Sequence, residues 1–243
     1  MATPADLYAA ILADPDDLDL RRRYADAIET VDPEHAELIR LDLDGGSTPR
    51  RLLLGRRVGP RLARPVAHLV DAWRLRRGFV ESVTMRADAL LDHGVEVWRA
   101  APIRHLVLTD VAGHAADIAD SPLLGSLVGL DLGGNPIGDA GVRHLAGSGR
   151  LGRLRWLGLS RCDVGAEGAE ALAASRNLPR LRYVQFDRNR VEILPYGIGQ
   201  DIDGRPIGVE VPALGQRLID RYGPLPWLDV RWAWEGPPRY HDV

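Results

Sequence analysis

The sequence contains no lysine, and all 31 of its lysine-or-arginine positions are arginines. A Schiff-base or lysine general-base mechanism is therefore excluded. Because Cys162 is the only cysteine, the chain cannot form an internal disulfide or a cysteine-based metal cluster. No apolar run approaches the roughly 18 residues that a membrane-spanning helix needs. The N-terminus also lacks the basic stretch and apolar core of a secretory signal, so we expect a cytoplasmic protein.

Opposite charges are concentrated in two neighbouring segments. Residues 1–48 contain twelve acidic residues and four arginines, whereas residues 50–77 contain nine arginines and one acid, Asp71. Proline and aspartate breaks divide the first segment into short helices, and we predict that the second is a basic helical connector. The simplest interpretation is that the two segments face each other or solvent within one molecule.

The alternative is a nucleic-acid-binding patch between Arg50 and Arg77. Trp73 is the one aromatic residue of that stretch, which leaves little for base stacking. The formal net charge of the chain is −3, so the chain as a whole has no electrostatic attraction for nucleic acid.

One pattern recurs from residue 78 onward. Its clearest copies lie at 127–137, 154–164 and 181–191, with a period of 27 residues, and two degenerate copies precede them. The first two copies read LxxLxLxx(N/C)x(L/I/V), and in the third Val184 and Phe186 replace two leucines. The LxL part predicts a short parallel strand with its apolar residues pointing inward, and a returning helix follows at 139–145 and 167–174. Because one copy cannot bury its apolar side alone, the copies must stack.

The polar position of the pattern has a structural role of its own. We expect Asn135 and Asn189 to turn inward and bond the backbone where the chain leaves each strand. Cys162 occupies the same position and can serve there as a small buried substitute with a weak donor.

The pattern and its period resemble the ribonuclease-inhibitor-like class of leucine-rich repeats. Residues 7–17 with Arg23-Tyr24-Ala25-Asp26, and residues 36–41, resemble the repeat-companion domain that precedes repeat arrays in bacterial proteins, although Ala27 stands where that family usually has tryptophan. The resemblance implies an α/β fold, a short horseshoe-shaped solenoid of parallel strands and returning helices, and protein binding on its concave face.

Four segments follow from this interpretation. They are an acidic helical companion segment (1–48), a basic helical connector or N-cap (49–77), the repeats (78–191), and a C-terminal cap with a tryptophan-rich tail (192–243). A hairpin around Asp203-Gly204 and a helix ending near Gly223 are predicted for the last segment. We expect Trp227, Trp232 and Trp234 to pack over the last repeat, with a docking tail as the alternative.

Strand alternation predicts which side chains face outward. Three rows cross the strands, beginning at Ser82, Thr84 and Arg86 and passing through the later copies. In the first row Trp156 and Tyr183 would be exposed neighbours beside small glycines, typical of a binding hot spot; the alternative is that the chain's own tail covers them. The predicted partner-binding residues are Trp156, Tyr183, Gln185, Asp187, Asp131, His105, Arg161 and Arg188.

The sequence thus indicates a protein-binding module, an adaptor or inhibitor, rather than an enzyme. No motif for a catalytic centre, a metal or a cofactor stands out. Asp201 and Asp203 resemble part of a calcium loop, but Pro212 stands where its glutamate would be needed. Two alternatives stay open: an enzyme accessory or substrate-presenting protein that acts through its C-terminal tail, and nucleic-acid binding between Arg50 and Arg77.

Overall fold

A computed structural model describes residues 2–198 and 208–231. The chain divides into two compact units between Leu106 and Val107. The elements of the first unit are α1 (Pro4–Ala13), α2 (Leu18–Ile28), α3 (Pro33–Asp44), α4 (Thr48–Ala63), β1 (Ala72–Arg76), β2 (Phe79–Arg86) and α5 (Ala87–Ala100). Strand β3 (His105–Thr109) crosses the boundary between the units.

The second unit alternates short strands with helices. Its elements are α6 (Ala115–Asp120), a 3-10 helix (Pro122–Ser126), β4 (Gly129–Asp131), α7 (Gly138–Gly147), β5 (Trp156–Gly158), α8 (Ala166–Ala174), β6 (Tyr183–Gln185), β7 (Tyr196–Gly197), β8 (Val209–Glu210), α9 (Ala213–Tyr222) and a 3-10 helix (Pro226–Leu228). Strands β1 to β6 follow one another in chain order in a mainly parallel sheet. The predicted α/β class is therefore confirmed.

Helices α1 to α3 begin where their capping residues predict. Thr3 and Asp6 form a capping box at α1, and the carboxylate of Asp17 accepts hydrogen bonds from Asp19 and Leu20 at α2. Asp32 caps α3 through the backbone N–H of His35. These helices bury Ile11, Ala25, Ile28, Ala36 and Ile39 around Phe79 of β2.

The acidic and basic segments do face each other. Arginines of α4 form ion pairs with acids of α3 and its N-cap: Arg50 with Glu37, Arg57 with Glu34, and Arg61 with Asp32. Each pair is partly exposed, so each alone contributes little stability. The simpler interpretation of the charge blocks is confirmed.

The sequence suggested a connector that is helical throughout, but only its first part is helical. Helix α4 ends at Ala63, and Ala72–Arg76 forms strand β1, antiparallel to β2. Arg77 and Gly78 both have positive φ, 49° and 79°, as a two-residue type I′ hairpin turn requires. Trp73 and Leu75, two residues apart, both reach toward Gly59 of α4. Apolar side chains here therefore point the same way at every second residue, as they do in a strand.

A buried ion pair joins α2 to β2. The guanidinium of Arg21 lies 2.6 Å from the carboxylate of Glu81, and their side chains are 0% and 1% exposed. Arg21 also donates to the carbonyl of Pro15, and Arg77 donates to Glu81 at 2.9–3.1 Å. Burial raises the pKa of Glu81, and the two arginines oppose that shift. Burial has the opposite effect on Arg21, whose pKa it lowers to about 10, because in both residues it disfavours the charged form.

The strands of the second unit pair as the 27-residue period predicts. Leu130 lies beside Leu157, and Leu157 beside Val184, in parallel register. All three side chains are buried, as are Leu132, Leu159 and Phe186. The predicted return helices lie within α7 and α8, which pack against each other.

Asparagine side chains bond one repeat to the next. The amide nitrogen of Asn135 donates to the carbonyls of Leu108 and Leu132 at 2.9 and 2.8 Å, and its oxygen accepts from the backbone N–H of Val111. Asn189 donates to Leu159 and Phe186 and accepts from Cys162 and Val164. The thiol of Cys162, fully buried, donates to the carbonyl of Leu132. The predicted role of this position is confirmed.

The C-terminal segment partly follows its prediction. Strands β7 and β8 pair antiparallel, and α9 ends before Gly223 and packs against α8. Trp227 is buried, and its 3-10 helix packs against β6. Asp203-Gly204, Trp232 and Trp234 lie outside the described residues.

Replacement of Asn135 by alanine should destabilise the protein by about 2–3 kcal/mol. It would leave the buried carbonyl of Leu108 and N–H of Val111 without their side-chain partner. Urea unfolding measures the loss. The matched control is Asn177→Ala, whose side chain is exposed and should cost much less. Equal losses for the two variants would contradict the role of Asn135.

Glu81→Gln should cost about 3 kcal/mol, because it leaves the guanidinium of Arg21 buried without its counter-charge. Glu37→Gln makes the same change in the partly exposed pair with Arg50 and is the control. Thermal unfolding compares the two. A Glu81→Gln protein as stable as the control would show that the buried pair does not hold α2 on β2.

Candidate functional site

Three strands bring the predicted partner-binding residues together. In the register of β4, β5 and β6, Gly129, Trp156 and Tyr183 form one row. Asp131, Gly158 and Gln185 form the next row toward the carboxyl ends of the strands. His105 belongs to β3, and its ring nitrogen Nε2 lies 2.8 Å from a guanidinium nitrogen of Arg76.

Trp156 and Tyr183 are not the exposed pair that alternation predicted. They are only 3% and 6% exposed. The two rings pack on each other, with centroids 6.2 Å apart, and burial raises the pKa of Tyr183 to about 12. Alternation identifies the face of a side chain, but it does not show what covers that face.

Two features account for this burial. The indole of Trp156 lies over Gly158, where a Cβ would come within 2.7 Å of the ring, so the missing side chain of this glycine leaves the space that the ring occupies. On the next strand, the 3-10 helix Pro226–Leu228 packs against β6 with Trp227 and Leu228 buried. The alternative that the tail covers this row therefore has direct support in that helix.

His105 is also buried, at 1% exposure. The expectation that it faces outward is wrong, because it lies on β3 against Arg76 of the β1–β2 hairpin. A contact surface for a partner cannot include it without rearrangement.

In the second row, the side chains of Asp131 and Gln185 are half-buried and Gly158 is buried. The carboxylate of Asp131 accepts a hydrogen bond from the N–H of Gly133 at 2.9 Å, and burial raises its pKa. Gln185 is half-buried at the other end of the row, and Gly158 lies between them. The side chains of Asp131 and Gln185 are therefore the innermost ones on this face of the strands that a partner could reach.

Beyond the strand ends, three of the predicted partner-binding residues have exposed side chains. Asp187 and Arg188 follow β6 after Phe186, and Arg161 follows β5 at the position equivalent to Arg188. The hydroxyl of Ser160 donates to Asp187 at 2.5 Å, and the N–H of Arg161 donates to the carbonyl of Asp187. We call Arg161, Asp187 and Arg188 the strand-end rim.

The two arginines of the rim have an unusual backbone. Their φ angles are 54° and 58°, in the left-handed region, and the equivalent residue of the preceding repeat is Gly134 with a φ of 83°. Residues other than glycine are strained in this backbone conformation, by about 1–2 kcal/mol. Neither guanidinium has an ion-pair partner among the described residues. Sequence reasoning identified both residues but not their strain.

A cleft of about 500 Å³ adjoins the rim. It is the feature that sequence reasoning missed, since it depends on how the chain turns after the last strand. Its lining residues are Phe186, Asp187, Arg188, Val191, Glu192, Ile193, Leu194, Pro195 and Tyr196.

The described part of the chain gives little support to a reactive thiol or a metal site. Burial raises the pKa of the Cys162 thiol to about 11, so it stays protonated and unreactive at neutral pH. Within residues 2–198 and 208–231, no three histidine, cysteine or acidic side chains are grouped as metal ligands would be. Asp201 and Asp203 lie outside these residues. No described helix is both long enough and apolar enough to cross a bilayer.

Comparison with known proteins identifies the repeated segments. Residues 126–146 and 154–173 match the family model described as Leucine Rich repeat. No curated protein matches the chain, and no solved structure does. The two matched segments contain β4 with all but the last residue of α7, and β5 with all but the last residue of α8, so the chain carries leucine-rich repeats at these positions.

Proposed function

We propose that this protein is a non-catalytic binding module that holds a partner protein at the strand-end rim. Leucine-rich repeats generally mediate protein–protein interaction, which supports this class of function. The partner would contact Arg161, Asp187 and Arg188, with Asp131 and Gln185 at the inner edge.

The observation that carries the proposal is the backbone of the two rim arginines. Glycine would relieve the strain at both positions, as Gly134 does one repeat earlier. The side chains instead extend into solvent, so they contribute no packing that offsets the cost. Strained residues that the fold does not need are typical of binding sites.

The cleft beside the rim supplies the apolar component of such an interface. Val191, Ile193 and Pro195 lie along it, next to the charged side chains of Asp187 and Arg188. An apolar pocket bordered by charges suits an anchoring side chain of a partner. Trp156 and Tyr183 would support the rim from beneath rather than contact the partner.

We also propose the finer family assignment. The 27-residue period and the helical return favour the ribonuclease-inhibitor-like class, a horseshoe solenoid with caps at both ends. The helices α1 to α3 are consistent with a bacterial repeat-companion domain, and a cytoplasmic location accords with this assignment.

The other two candidate functions have weaker support. Acids of the α3 segment already pair with Arg50, Arg57 and Arg61, which lowers the positive charge offered to a nucleic acid between Arg50 and Arg77. An enzyme-accessory role of the tail rests on residues of which 232–243 lie outside the described part.

Replacing both rim arginines by glycine should stabilise the protein and abolish partner binding. Each substitution removes left-handed strain, and the flexibility of glycine offsets part of the gain, so each should add up to about 1 kcal/mol. Urea unfolding measures stability. Affinity capture from a lysate of the source organism, quantified by mass spectrometry, measures binding.

The matched control is Arg23→Gln with Arg217→Gln, which removes two exposed positive charges elsewhere. It should retain the proteins that the unmodified chain captures. If the Arg161→Gly, Arg188→Gly protein retains them as well, the rim is not the binding surface. If the unmodified chain enriches no protein above empty beads, the binding role itself is contradicted.

A further inference from the structure

Six arginines are exposed on the two loops that lead into β5 and β6. They are Arg150, Arg153 and Arg155 on the loop 148–155, and Arg176, Arg180 and Arg182 on the loop 175–182. Neither loop contains an acidic residue. We call this set the arginine surface. It lies at the amino ends of the strands, whereas the strand-end rim lies at their carboxyl ends.

The two loops share the same pattern of hydrogen bonds. Ser148 and Ser175 each bond the carbonyl of a residue in the preceding repeat through their hydroxyls, at 2.5 and 2.6 Å. Leu154 and Leu181 close equivalent backbone turns in the two loops. The arginines are therefore presented by ordered backbone.

This backbone arrangement places like charges next to one another. The N–H of Arg182 donates to the carbonyl of Arg155 at 2.8 Å, so the two residues are direct neighbours where the loops enter strands about 4.8 Å apart. Arg153 and Arg180 flank them at the same 27-residue spacing. Arg150, Arg155, Arg176, Arg180 and Arg182 form no ion pair with any described residue, and neighbouring like charges are destabilising.

Helix dipoles explain only part of this arrangement. The loops follow the carboxyl ends of α7 and α8, where the partial negative charge of a helix favours one nearby cation. Three arginines in each loop exceed that requirement. The five arginines that form no ion pair with a described residue therefore need a counter-charge from outside these residues.

The surface also lacks the apolar anchors of a protein interface. All four leucines of the two loops, Leu151, Leu154, Leu178 and Leu181, are buried. Protein partners draw most of their binding energy from buried aromatic and apolar side chains, whereas phosphate contacts need only cations. The guanidinium fork matches phosphate oxygens in pairs.

We propose that the arginine surface binds the phosphate backbone of a nucleic acid, without sequence preference. Contact is purely electrostatic and is independent of the rim. It also differs from the patch between Arg50 and Arg77, whose arginines pair with acids of the protein itself.

Fluorescence anisotropy tests this with a labelled 24-nucleotide single strand of RNA and a 24-base-pair DNA duplex. Affinity for the duplex should fall by about 100-fold between 50 and 200 mM NaCl, as expected for about four neutralised phosphates. The variant Arg155→Gln, Arg180→Gln, Arg182→Gln should bind at least about tenfold more weakly at 50 mM NaCl. Its salt slope should fall by about 3.

The control Arg50→Gln, Arg57→Gln, Arg61→Gln removes the same charge from arginines that already have partners and should bind almost normally. Circular dichroism melts check that both triple variants fold; if either does not, the single variants Arg155→Gln and Arg50→Gln replace them. Absence of binding to both nucleic acids at 50 mM NaCl, or equal weakening by the two triple variants, would overturn the proposal. Labelled poly-L-glutamate bound as tightly as the nucleic acids would show instead that the surface takes an acidic protein segment.

Discussion

The hydrogen bonds that asparagine makes between repeats are the interaction on which the second unit depends. Strands β4, β5 and β6 have only three residues each, too few for a ladder of backbone bonds alone to fix the stack. Asn135 and Asn189 bond backbone groups on both sides of the turn that ends the strand. Cys162 contributes one thiol bond at the same position. The strands are thereby held in register.

That register determines what each end of the strands presents. At the carboxyl ends, the chain passes through a left-handed residue before the asparagine position, and Arg161 and Arg188 occupy it. At the amino ends, the same register places Arg182 beside Arg155. A single period of 27 residues thus builds two charged surfaces, and between them the face of the strands carries the packed pair Trp156 and Tyr183.

The sequence contained most of the fold but only part of the site. Buried leucines at a fixed period identified the strands, because burial on one face depends on spacing alone. Local spacing carries no record of what packs against an outward face, so the sequence left open whether Trp156 and Tyr183 are exposed or covered by the chain's own tail. The strand at Ala72–Arg76 was mistaken for helix, because its hairpin turn places Arg77 at positive φ, which an arginine does not signal. The cleft beside Arg188 likewise depends on chain direction after the last repeat.

Amide hydrogen exchange, followed residue by residue by NMR, tests the asparagine bonds most directly. The N–H groups of Val111, Cys162 and Val164 each donate to an asparagine side chain and should exchange only through global unfolding. The N–H of Asn177, bonded to a serine hydroxyl on an exposed loop, should exchange much faster. If the first three amides exchange as fast as that of Asn177, asparagine does not hold the repeats together.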